Sequence, residues 1–172
     1  MIRGFSLIEL LVVISIVTLL SSIVFSNIRT ARERSQDNSI IQQLHQLRNQ
    51  AEIYRTTQPG YYGSRVMGYA ENTYWECQNS SANQTMFGDS KIAEFVTAIT
   101  EQANADTTTR RIHCAVGNEN NDSWAFAVPL INPASGTTGW CIDSSGNSKP
   151  VNFAFNSPSY PLASSGSFAL CP

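Results

Sequence analysis

Between Phe5 and Gln58 the sequence contains neither proline nor glycine. With both helix breakers missing, an unbroken helix of about 50 residues, near 75 Å long, is allowed there. Lysine is scarce, with Lys91 and Lys149 alone, and charged residues of all kinds make up 14% of the 172-residue chain. Soluble domains carry roughly 25%, so part of this chain is not solvated in the ordinary way. The formal net charge is −2, and no basic block is long enough to hold nucleic acid unaided. No CxxC pair occurs among the four cysteines, Cys77, Cys114, Cys141 and Cys171, and only His113 and Cys114 are close neighbours of metal-ligand type. That pattern disfavours a structural metal site. An even count at wide spacing, after an apolar segment, points instead to disulfides in an oxidising compartment. His45 falls on the polar side of a helix, and His113 has no acid or nucleophile nearby in sequence. The residues therefore indicate no enzyme and no cofactor.

What the N-terminus does have is an apolar run. From Phe5 to Phe25, fifteen of 21 residues are Leu, Ile, Val or Phe. At 1.5 Å per residue the run spans about 31 Å, the thickness of a bilayer core. Each of the fifteen contributes roughly −0.3 to −0.6 kcal/mol to insertion, and a central carboxylate costs about +3 kcal/mol, so insertion wins even with Glu9 carried along. An acid inside such a span is a functional residue by default, or else it snorkels to the interface. Two plainer readings compete. A secretory signal could be cut near Val24-Phe25-Ser26, but the run is longer than an ordinary signal and holds an acid near its start. A simple signal anchor is the other.

The segment Gly4-Phe5-Ser6-Leu7-Ile8-Glu9, behind a short leader with Arg3, resembles the processing signal of type IV prepilins and pseudopilins. The resemblance implies cleavage between Gly4 and Phe5 by a membrane-embedded prepilin peptidase, methylation of the new amine at Phe5, and a mature chain whose fifth residue is Glu9. It further implies that the Glu9 carboxylate on one subunit neutralises the Phe5 amine on a neighbour and so fixes register during assembly. A single polar pair in an apolar interface is well suited to setting register. Type IVa pilins usually carry a glycine and a proline where this sequence has Thr18 and Ser26. That departure removes the usual cause of local helix melting and points toward a pseudopilin, a minor pilin or a divergent lineage. Arg29, Arg32 and Arg34 lie beyond the span, against Arg3 before it, and the positive-inside rule favours the opposite orientation. The resemblance and the cysteines both place the head outside the cytoplasm.

The expected fold is α+β: a long N-terminal helix packed on a small antiparallel sheet. The expected parts are a leader (1–4), an assembly half of the helix (5–28), an amphipathic half (29–55) and a disulfide-bonded head (56–172). Ile40, Leu44, Leu47, Ala51 and Tyr54 form one helical stripe, to be buried under the head or in a coiled-coil seam. The polar stretch 29–39 reads as a solvated face or as a charged belt for adjacent subunits. In the head, one short strand is expected near 66–69. A helix is expected over 89–104, capped by Asp89 or Ser90 and with Ile92, Phe95, Val96 and Ile99 inward. Strands are expected at 111–116, 123–130 and 139–143, with turns at 117–122 and 144–147. After Pro150 the chain reads as coil, anchored by Phe153, Phe155 and Phe168.

Four cysteines allow three pairings. Cys77–Cys114 with Cys141–Cys171 is favoured, because it ties the irregular connection and the tail to the sheet; Cys114–Cys141 stays open. Asp143, Ser145 and Asn147 offer alternating oxygens, a calcium pattern without its later bidentate glutamate, so a plain turn is favoured. Asn118, Glu119 and Asp122 form a still weaker acidic loop. Sequons begin at Asn79, Asn83 and Asn121. Arg65, Arg110 and Arg111, read as exposed, give a weak footprint for DNA. The function implied is that of a structural subunit of a type IV pilus or related filament. Its partners would be identical or related pilins, the prepilin peptidase, an inner-membrane assembly platform and the membrane itself. The alternatives are a pseudopilin of a type II secretion system and a membrane-anchored extracytoplasmic binding module that never polymerises.

Overall fold

The computed structural model describes residues 6–57, 62–63, 85–105, 109–117, 123–152, 154–156 and 170–172, and within the long helix the side chains of 23–27 lie outside that set. The strand expected at 66–69, the loop 118–122, Phe153, Phe168 and the three sequon asparagines all fall outside the described residues.

Helix α1 runs unbroken over Leu7–Thr57, 51 residues, as the missing breakers allow. Its second half is amphipathic, and the structure chooses between the two fates of the stripe. Ile40, Leu44, Leu47 and Ala51 are fully buried under the chain's own head, and Tyr54 packs at the edge of the same cluster. Burying each of the larger aliphatics contributes about 1.5–3 kcal/mol, enough to fix this half of α1 to the head. A one-turn 3-10 helix, Met86–Gly88, leads into α2, Ser90–Gln102. The Asp89 carboxylate caps α2 by accepting from the backbone N–H groups of Lys91 at 3.0 Å and Ile92 at 3.3 Å, satisfying donors a helix start leaves open. α2 ends in a Schellman motif. Asn104 takes the left-handed conformation, φ 49°, and the Ala105 and Asn104 N–H groups return to the Thr100 and Glu101 carbonyls. Ile92, Val96 and Ile99 are buried against α1, and Phe95 is partly buried there.

Among the described residues four strands follow: β1 (His113–Gly117), β2 (Ser123–Pro129), β3 (Gly139–Asp143) and β4 (Ser148–Val151). They form one antiparallel sheet in the order β1-β2-β3-β4. The chain is thus α+β, a long N-terminal helix followed by a small antiparallel sheet, consistent with a pilin fold. Strand β4 is not anticipated by the sequence reading, which places coil beyond Pro150. Pro150 instead lies within β4, opposite Trp140, on an edge strand where a missing N–H breaks no ladder.

The sheet is covered on both faces. Val116, Trp124, Phe126, Val128 and Ile142 join the cluster with α1 and α2, while Ala125, Ala127, Cys141, Val151, Phe155 and Cys171 form a second cluster on the opposite side. Every residue of β2 is buried. Alternation of large and small residues along β2 allows this: bulky side chains meet the helices, and alanines let the C-terminal segment lie close on the far face.

Candidate functional site

Among the described residues, the N-terminal half of α1 packs against no other element. Leu7 is 86% exposed and Ile8 69%, and exposed aliphatics continue through Leu20. An apolar surface of this extent is not left bare in a working molecule. Serine and threonine side chains in this half turn back on their own helix: Ser15 Oγ donates to the Leu11 carbonyl at 2.8 Å and Ser21 Oγ to Val17 at 2.7 Å. The polar atoms are thereby satisfied within the helix, leaving an outward surface suited to an apolar environment. Among the described residues no helix is long and apolar enough to cross a membrane. The run read from the sequence starts at Phe5 and ends among the side chains of 23–25, all outside the described set.

Glu9 stands in the first turn of α1. Its Oε2 accepts the Ser6 backbone N–H at 3.0 Å, the reciprocal half of a capping box. The carboxylate also sits at the positive end of the helix dipole. Gly4 and Phe5, the residues flanking the expected cut, lie outside the described residues.

Where α1 leaves its apolar half, its acids turn toward the head. Asp37 is buried, and its two carboxylate oxygens accept the Ile131 and Asn132 N–H groups at 2.7 and 2.9 Å. Glu33 Oε2 accepts from Asn132 Nδ2 at 3.3 Å, and its Oε1 pairs with Arg29 at 3.1 Å. Within the stretch read as a solvated face or a belt for adjacent subunits, Glu33 and Asp37 thus dock the β2–β3 loop of the same chain, while Arg29, Arg32 and Arg34 stay exposed. Farther along α1, the Arg48 guanidinium donates to the Asn147 carbonyl.

The turn between β3 and β4 centres on Asp143, fully buried. Oδ1 accepts the Ser145 and Asn147 N–H groups, each at 3.0 Å. Oδ2 accepts Asn147 Nδ2 at 2.7 Å and the Cys171 N–H at 3.0 Å. Gly146 supplies the positive φ, 92°, that the turn requires. Both carboxylate oxygens face donors, which makes Asp143, Ser145 and Asn147 the scaffold of a turn. Beside them Cys141 and Cys171 form a disulfide, so these two cysteines pair as favoured. Cys114 is also disulfide-bonded, and Cys77, its expected partner, lies outside the described residues.

The two described arginines of the expected DNA footprint are half-buried, which corrects their reading as exposed. Arg110 Nη2 donates to the Ala103 and Leu130 carbonyls, each at 3.1 Å. It joins the end of α2 to the end of β2, a bond between distant segments that spacing in sequence does not reveal. Arg65 lies outside the described residues.

His45 is exposed, its Nε2 3.5 Å from Ser148 Oγ. His113 is buried on β1, its ring 5.7 Å from that of Phe155. Burial lowers its pKa to about 4; the Phe155 backbone opposes the shift and the Arg111 charge adds to it. In an unfolded chain His titrates near 6.5. The folded pKa is depressed, so the neutral ring's contribution is fully present above about 6.5 and is lost as pH falls toward 4. Wild-type protein is expected to lose about 3 kcal/mol across that window through this residue. In thermal melts at stepped pH, His113→Phe should show a flatter dependence than wild type; parallel curves would contradict the assignment.

These features define a class first: an α+β chain whose long N-terminal helix is exposed and apolar at one end and packed on an antiparallel sheet at the other. Residues 1–25 match the family model described as the prokaryotic N-terminal methylation motif. Over those residues the chain thus carries the signal of type IV pilins and pseudopilins, which supports a prepilin-peptidase substrate. No curated protein and no solved structure matches the chain.

Proposed function

We propose that the chain is a structural subunit of a type IV pilus or pilus-like filament, cut between Gly4 and Phe5, methylated at Phe5 and polymerised through α1. The observation that carries this is the bare half of α1. Its aliphatics, from Leu7 to Leu20, are about half exposed or more, and no surface among the described residues covers them. They would lie first in the inner membrane, with the head outside the cytoplasm, and later against the same helices of identical or related subunits on an assembly platform. The parts would be a leader (1–4), an assembly half (5–28), a docking half (29–55) and the head (56–172), with Cys77–Cys114 as the second disulfide.

Charge supplies the register. Cleavage creates an α-amine at Phe5 in apolar surroundings, and an unpaired buried charge is strongly unfavourable. The Glu9 carboxylate, exchanging its Ser6 N–H for a neighbour's amine, neutralises it only when copies are correctly offset. Glu9→Ala is expected to abolish filaments imaged on cells while leaving the head's melting temperature unchanged, since Glu9 lies far along α1 from the head's core. Unaltered filaments would rule out the register mechanism, and a parent strain without filaments would favour a membrane-anchored binding module. Mass spectrometry of protein from its native cell should find a methylated N-terminus at Phe5 and all four thiols oxidised.

The unbroken α1 favours a second reading. Thr18 is helical, with Oγ1 donating to the Ser15 carbonyl at 2.9 Å, where pilus-forming relatives usually bend. A stiff helix suits a pseudopilin in a short secretion filament, and a neighbouring secretion operon rather than a retraction motor would decide for it.

A further inference from the structure

The geometry points to a phospholipid-binding collar formed by Arg29, Arg32 and Arg34, which takes the phosphates of anionic lipid headgroups and holds the unassembled subunit at a fixed depth. The inference rests on the reading that the apolar half of α1 lies in a bilayer.

The fold itself separates the charges. Five ionisable side chains occur between Arg29 and Asp37. The acids turn toward the head: Asp37 is buried on the Ile131 and Asn132 N–H groups, and Glu33 reaches Asn132. The three arginines are all exposed. Arg29, 86% exposed, pairs with Glu33, a surface contact of the weak kind. Arg32 and Arg34 make no hydrogen bond or ion pair among the described residues. A stretch that looks mixed in sequence is thus basic on the surface it leaves to partners.

The spacing fits one partner. Exposed Ile28 precedes Arg29 directly. From Arg29 to Arg34 the helix rises about 7.5 Å, and the headgroup layer on one side of a bilayer is about 5–8 Å thick. Successive 100° steps put Arg29 and Arg32 about 60° apart on one side of the helix and Arg34 about 140–160° from both, so the three span two sides. A single neighbouring protein would meet one side; a lipid shell meets all of them. Long guanidinium stems can also lie along apolar surface while their heads reach phosphate oxygens, to which the planar fork binds in bidentate fashion. Such a collar also accounts for arginines on the side where the positive-inside rule does not expect them: their partner would be the outer leaflet's own anionic lipid.

The test uses the full chain, with and without Arg29→Gln, Arg32→Gln and Arg34→Gln combined, in phosphatidylcholine vesicles containing phosphatidylglycerol. Spin-labelled lipids report the selectivity of the first lipid shell. Wild type is expected to prefer phosphatidylglycerol about fivefold or more, as one surface charge suffices to give. The triple variant should fall to parity with an unchanged head melt, and high salt should weaken the wild-type preference. Equal selectivity in the two proteins, with both resisting carbonate extraction, overturns the collar and leaves the membrane reading intact. Extraction of wild type by carbonate overturns both. If the triple variant keeps its lipid preference but loses filaments, the arginines meet a second copy of the chain, and the collar is likewise overturned.

Discussion

Asp143→Ala is expected to destabilise the head by about 3–5 kcal/mol, among the larger effects a single side chain can have. Asp143 is fully buried, and its carboxylate receives three backbone N–H groups and one side-chain amide. Truncation leaves those donors facing nothing, and each unsatisfied buried donor costs about 1–3 kcal/mol. The damage reaches two places, because Oδ1 holds the β3–β4 turn and Oδ2 holds the backbone at Cys171. Asp143→Asn keeps one acceptor oxygen and should lose markedly less. Urea melts followed by tryptophan fluorescence, on protein shown by mass to retain its disulfides, would measure both. A loss under about 1 kcal/mol for the alanine variant would mean that water or a shifted backbone replaces the carboxylate.

Gly139→Ala should cost nearly as much, about 3 kcal/mol, at the upper end of ordinary overpacking. A Cβ at this position would lie 2.3 Å from the Phe155 ring and 2.3 Å from the Val128 carbonyl oxygen. The ring can move, but the carbonyl belongs to central strand β2 and cannot move without disturbing the ladder. Adding Phe155→Ala to Gly139→Ala should therefore recover only part of the loss, and it opens a cavity beside Val151 and Cys171. Full recovery in the double variant would place the whole clash on the ring and absolve the backbone. The measurement is again a denaturant melt, compared as a double-mutant cycle.

The sequence reading anticipated the elements whose signals are periodic. α1 and α2 could be read because Ile40, Leu44, Leu47 and Ala51, and then Ile92, Val96 and Ile99, recur at helical spacing. Strand β3 could be read from Trp140, Cys141 and Ile142, which alternate between the two faces. β4 could not, because four residues around a proline carry no period. The Arg29–Glu33 pair lies one helical turn apart and is legible. The Asp37 bond to the β2–β3 loop joins residues distant in sequence, and nothing local marks Asp37 as buried.

The same division holds at the site. Glu9 is conspicuous as an acid among aliphatics, and Gly4 and Phe5 belong to a compact motif. Asp143 looks like a turn former in the sequence, and the bonds it makes to Ser145 and Asn147 are those of a turn. Its bond to the Cys171 N–H depends on the path of the tail, which composition does not encode. Arg110 and His113 were misjudged or passed over for one reason: burial of an ionisable group depends on packing from distant segments, here the end of β2 and the segment at Phe155.

Closure of the sheet's outer face falls to residues made late. Ala125, Ala127 and Cys141 are in place well before Phe155 and Cys171 follow them along the chain. Until Phe155 and Cys171 cross over, this face is a bare alanine surface. Oxidation of Cys141 with Cys171 therefore reports that the later segment has docked on the sheet. A variant lacking Cys171 would present an unsealed face of the sheet while keeping α1 intact.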